Sequence, residues 1–163
     1  MVSKKVLKLL NEQVALEGES SQIYLAMATW ADVNGFRGTA AFMYRQAEEE
    51  RGHMQKFIKF INDLTEHAEI GGIKEPKADY KDIEEVFRAA LEHEELITAA
   101  IAKIFTTARE NNDYAVTSFL KWFIDEQVEE EAAVKRVLDI IRMAGKVSIY
   151  LADKEIGALH GGK

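Results

Sequence analysis

Apolar residues recur every three to four positions along most of this 163-residue chain, in long uninterrupted runs. That spacing predicts helices. A first segment runs from about residue 3, with Ser3 as a plausible N-cap, to about residue 33. Asn34-Gly35-Phe36-Arg37-Gly38 breaks it, and a second segment follows over about 39–64, so the pair should form an antiparallel hairpin. The stretch from Thr65 to Lys81 holds Gly71-Gly72 and Pro76 and has little periodicity. It is too long for a neighbour-to-neighbour turn but can cross the full length of a bundle. A third segment, about 82–110, opens on Asp82 with Glu85 three residues on, in the manner of a capping box. Asn111-Asn112-Asp113 turns the chain into a fourth segment, about 113–143, which Gly145 suits as a C-terminal stop. Four long segments joined short–long–short specify an all-α four-helix bundle with one long crossover. A fifth, shorter amphipathic piece, about 148–159, has no obvious place in a closed bundle and is expected to pack against another subunit. The tail from His160 to Lys163 reads as disordered.

The same periodicity exposes an anomaly. Two helical turns take about seven residues, so a seven-residue step stays on one face. In the first segment Glu17 stands between Leu10 and Tyr24; in the second, Glu50 stands between Met43 and Phe57 with His53 beside it. In the third, Glu94 falls between Phe87 and Ile101. In the fourth, Gln127 falls between Leu120 and Val134, and Glu130 between Phe123 and Val137. Each apolar stripe is therefore broken near its helix midpoint by an acid or an amide, and helices packed side by side bring their midpoints to one depth. None of these positions is Lys or Arg. Taken singly, each acid reads more readily as a solvated or pair-bonded residue than as a ligand. Four helices broken at matched depth, with no basic partner, point instead to a bound cation, because an uncompensated buried carboxylate costs on the order of several kcal/mol.

Oxygen-rich ligation with one imidazole suits iron or manganese better than structural zinc. Four carboxylates suit two dications, with Glu50 as the bridge. Glu126 and Glu129, three apart on the fourth segment, together with Glu49 suggest a weaker outer site. Tyr24 is either a core aromatic or a redox-active phenol, and Trp122 reads as packing. His93 lies beside Glu94 but off the stripe, and is expected to be exposed.

Composition narrows the rest. A charge of −7 without a dense Lys/Arg run argues against a nucleic-acid partner. No apolar run is long enough for a membrane span, and no secretory signal is read at the start. The absence of cysteine excludes thiolate zinc and iron–sulfur sites. The expectation is one cytoplasmic domain over 1–163.

Glu17, Glu50-Arg51-Gly52-His53, Glu94 and Gln127-Val128-Glu129-Glu130, set on this helix plan, resemble the bacterial non-haem ferritins over essentially the whole chain. The resemblance implies a ferritin-like fold and an iron-storage protein with ferroxidase activity. By position, Glu17, Glu50 and His53 resemble the ligands of one iron. Glu50, Glu94, Gln127 and Glu130 resemble the surroundings of a second, with Glu49, Glu126, Glu129 and Glu130 around a third, outer one. Tyr24 matches a tyrosine near the centre. The implied substrates are Fe(II) and dioxygen or hydrogen peroxide, and the implied assembly is a homo-oligomeric shell of twenty-four subunits, with the fifth helix at its four-fold contacts. Bacterioferritins differ in carrying a second Glu-x-x-His where this chain has Gln127-x-x-Glu130, and a haem-ligating methionine where it has Gly52, so no haem is expected. Thr117 to Leu120 contains no acid, unlike the three-fold channel of eukaryotic ferritins. The alternatives are a di-iron oxygenase or peroxide scavenger that stores nothing, and a structural helical bundle whose carboxylates are incidental.

Overall fold

A computed structural model describes residues 2–145 and 148–159. Five helices run in order: α1 (Lys4–Val33), α2 (Arg37–Asp63), α3 (Ile83–Glu110), α4 (Tyr114–Ala144) and α5 (Ile149–Ala158). The expected boundaries hold to within two residues, and the described residues contain no strand. The disordered tail expected from His160 lies outside the described residues.

The turns follow from local chemistry. Ser3 caps α1 by accepting from the Val6 amide (3.3 Å), and Asp82 caps α3 by accepting from that of Glu85 (2.9 Å). Past α1, Gly35 takes φ +83° and the Phe36 amide returns to the Ala31 carbonyl (2.9 Å). Past α3, Asn112 takes φ +58° and the Asp113 amide returns to Ala108 (2.9 Å). Both are six-to-one closures with a left-handed residue inside, and they reverse the chain within three residues. Hence α1 lies along α2 and α3 along α4, while residues 64–82 carry the chain across.

The fifth helix, expected from its pattern to pack against another subunit, is seated on its own chain, against α2 and α4. Three features hold it there. Ile156 is fully buried with the bundle core, and the Arg45 guanidinium donates to the Leu159 carbonyl at 2.7 Å. Asp153 accepts from the Gly38 amide (2.9 Å), the Thr39 amide (2.8 Å) and the Thr39 hydroxyl (2.8 Å). Phe36 at the N-cap of α2 offers no side-chain cap, so Asp153 supplies one from the far end of the sequence. The helices approach so closely that a Cβ on Gly38 would lie 1.8 Å from the Asp153 carbonyl oxygen. Tyr150 and Leu151 remain exposed on α5.

The core falls into two apolar clusters. One holds Met27, Phe42, Met43, Phe87, Val134 and Val137; the other holds Leu10, Val14, Phe57, Ile101, Leu120 and Phe123. Along every long helix the chain passes from one cluster to the other across the polar positions: Glu17, Glu50, Glu94, and the pair Gln127 and Glu130. A polar layer therefore cuts the bundle at one depth, as the matched midpoints require. Among the described residues, no helix is long and apolar enough to cross a membrane.

Candidate metal centre

Six side chains of that layer are almost fully withdrawn from solvent: Glu17 is 1% exposed, Glu50 2%, His53 4%, Glu94 1%, Gln127 3% and Glu130 6%. Among the described residues, two groups of three bring possible ligand atoms within 4.8 Å of one another. The first is Glu17, Glu50 and His53; the second is His53, Glu126 and Glu130. His53 thus stands at the junction. Its Nδ1 lies 3.3 Å from Glu50 Oε2 and 3.8 Å from Glu17 Oε2. Trp122 and Phe123 meet its ring edge-on at 5.4 and 5.7 Å, fixing its plane. Trp122, expected to pack, does so beneath the Lys56 ammonium, 3.2 Å from the ring centre.

The remaining carboxylates are held by neutral donors. Gln13 Nε2 donates to Glu17 Oε1 at 2.8 Å, and Gln46 Nε2 to Glu130 Oε2 at 2.7 Å. Glu94 takes the Tyr24 hydroxyl on Oε1 and Gln127 Nε2 on Oε2 (3.1 Å). Glu94 therefore lies in the layer but outside both close groups, with Gln127 beside it as a donor. Gln13 and Gln46 went unrecognised in the sequence, although each stands four residues before a layer carboxylate, Glu17 and Glu50, on the same helix face.

Among the described residues, two buried side-chain oxygens have no donor. Glu17 Oε2 and Glu50 Oε1 are buried and without a hydrogen-bond partner. Such orphaned acceptors are expensive in a protein interior, and they are what a cation would satisfy. The electrostatics agree. Burial, reinforced by the charge of Glu50, pushes the Glu17 carboxyl well above its ordinary range. Burial and then the charge of Glu94 do the same to Glu50. Glu94 rises by burial, against the donors Tyr24 and Gln127. Burial followed by the charges of Glu94 and Glu49 lifts Glu130 to about 8. Without metal the layer resists full ionisation, and a dication entering it would displace protons. Burial, then Glu94, also raises the Tyr24 phenol.

The outer group assembles differently from expectation. Glu126 is half-buried and turned toward His53 and Glu130, whereas Glu49 and Glu129 are exposed and belong to neither close group. Glu49 still acts on the layer through its charge. His93 is half-buried, not exposed: its Nε2 lies 2.7 Å from the Ser20 hydroxyl, and burial lowers it to about 4. The reason is that α3 packs on α1 as well as α4, so a second face of α3 is covered.

A helical bundle crossed by a buried carboxylate–imidazole layer defines a class of metal-handling proteins. Residues 7–144 match the ferritin-like domain family, described as Ferritin. The chain is 40% identical to a probable bacterial non-heme ferritin-like protein of Haemophilus influenzae, covering 98% of each chain. It is 37% identical to a bacterial non-heme ferritin of Campylobacter jejuni, over 96% of this chain and 95% of that one. An open-pore ferritin from Archaeoglobus fulgidus, solved by crystallography, superposes with a TM-score of 0.95 at 29% identity, covering 98% of this chain and all of that one. The chain belongs to the ferritin family. Iron storage with ferroxidase activity is the function that this membership carries.

Proposed function

We propose that each chain binds two Fe(II) ions as substrate in the polar layer, oxidises them, and passes the ferric product to a mineral held within a homo-oligomeric shell. The observation that carries this reading is the pair of orphaned buried oxygens, Glu17 Oε2 and Glu50 Oε1, on two carboxylates grouped with one imidazole. Glu17, Glu50 and His53 hold one iron. Glu50 bridges to the second, whose other neighbours are Glu94 and Glu130, with Gln127 as a donor. Glu126 forms a step between that centre and the outer acids. Each Fe(II) gives up one electron; dioxygen takes two, with two protons, to leave as hydrogen peroxide. A carboxylate-rich layer favours the more highly charged ferric product over the ferrous reactant. The protein supplies placement and charge, and the metal supplies the redox chemistry.

Storage is tested by loading the metal-free protein in air with Fe(II) far beyond two ions per chain, then passing it over a sizing column. Iron well above that ratio should elute with a multi-chain assembly. Retention that stops near two ions per chain would leave the centre but refute storage.

A further inference from the structure

Gln127 is usefully placed only if its amide points the right way. Its Nε2 faces three acceptors: Glu94 Oε2 at 3.1 Å, the Glu94 carbonyl at 3.3 Å and Thr98 Oγ1 at 3.2 Å. The third of these continues outward. The Thr98 hydroxyl donates to Glu131 Oε1 at 2.8 Å, and Glu131 Oε2 accepts from the Lys135 ammonium, also at 2.8 Å. A hydroxyl has one proton to give, and a carboxylate paired with an ammonium can only accept. Glu131 therefore commits the Thr98 proton, leaving a Thr98 lone pair that only a donor can approach. That donor is the NH2 end of Gln127, so its other hydrogen is left for Glu94. Thr98, Gln127 and Glu131 all line a groove of about 500 Å³ between α3 and α4, outside the carboxylate layer.

We propose that Thr98 and Glu131 are positioning residues for the second iron: through Gln127 they fix the orientation of Glu94. This rests on the ferroxidase reading above. Each donor is committed: Thr98 gives its proton outward to Glu131, Gln127 gives one hydrogen to Thr98 and the other inward to Glu94, and reversing Gln127 would set its carbonyl against three acceptors. Neither Thr98 nor Glu131 touches metal in this arrangement, so their loss should affect one metal position and spare the other.

The test uses Co(II) as a redox-inert probe, titrated into the assembled metal-free protein and followed by its absorption and by calorimetry. The parent should take two Co(II) per chain. Thr98→Val, which keeps the shape and removes the hydroxyl, should weaken the second binding step about three- to ten-fold, as expected from one or two lost hydrogen bonds. The first step should stay within two-fold. Glu131→Leu, which removes the acceptor of the Thr98 proton, should do likewise, Thr98→Ser should restore parental binding, and Thr106→Val, on the same groove, should change neither step. If Thr98→Val fails to assemble, Glu131→Leu decides. Parental affinities in both Thr98→Val and Glu131→Leu, or equal weakening of both steps, would overturn this inference and leave the ferroxidase reading standing. A parent that binds no Co(II) would overturn both.

Discussion

Replacing Glu130 by glutamine should stabilise the metal-free protein near neutral pH while weakening the metal centre. Glu130 is 6% exposed and its carboxyl titrates near 8, against an unperturbed value near 4.5, because burial and the charges of Glu94 and Glu49 disfavour ionisation. Between those two values the folded chain holds a proton that the unfolded chain has released. More protons are bound in the folded state, so stability falls as pH rises. At 1.36 kcal/mol per unit, the loss between pH 4.5 and 7 is on the order of 3 kcal/mol for this group alone. Glu17, Glu50 and Glu94 shift in the same direction and steepen the trend. Glu130→Gln removes the titrating group, and its carbonyl still accepts from Gln46, which lies 2.7 Å from Glu130 Oε2. The measurement is thermal unfolding in the presence of a chelator at pH 5, 6, 7 and 8. The parent midpoint should drop steadily across this range. The variant should drop less, and at pH 7 should melt roughly 6–12 °C above the parent. A variant that melts below the parent at pH 7, or follows the same pH slope, would refute the argument that the layer is strained without metal.

Asp153→Ala deletes the acceptor for two α2 amides and for the buried Thr39 hydroxyl. It should lower stability by about 2–3 kcal/mol, through lost capping and an unsatisfied buried group, while the first rapid phase of iron oxidation persists; an unchanged melting midpoint would contradict the role assigned to Asp153. Tyr24→Phe keeps the ring but removes the donor to Glu94. Oxidation of the first two irons should slow only a few-fold, and any organic radical trapped by rapid freezing should vanish from the electron paramagnetic resonance spectrum. A radical of equal intensity in the variant would place that electron elsewhere.

Much of this was legible because long helices repeat their pattern many times. Leu10–Glu17–Tyr24 and Met43–Glu50–Phe57 each state a face and its interruption, and the structure sets those interruptions in one layer. What escaped lies off the single stripe or far along the chain. Thr39 looked like the start of α2 because its true cap, Asp153, is 114 residues away and no local signal names it. His93 looked exposed because one stripe accounts for one neighbour, and α3 has two. Glu49, Glu126 and Glu129 looked equivalent because a run of acids carries no information on rotation; only Glu126 turns toward His53 and Glu130. Gln13 and Gln46 were readable in principle, each four residues before a buried glutamate, and their role emerges once it is asked what satisfies a carboxylate that lacks a cation.

In the proposed function, oxidation of iron depends on Glu50 and His53. Metal-free protein would be given two Fe(II) per chain without air, mixed with dissolved dioxygen in a stopped-flow spectrometer, and followed by ferric absorbance beside Glu50→Ala and His53→Ala. The parent should oxidise iron rapidly, and each variant should be slowed at least about ten-fold, in line with loss of a group on which metal placement depends. Oxidation in the parent no faster than in buffer, or variants as fast as the parent, would contradict that dependence.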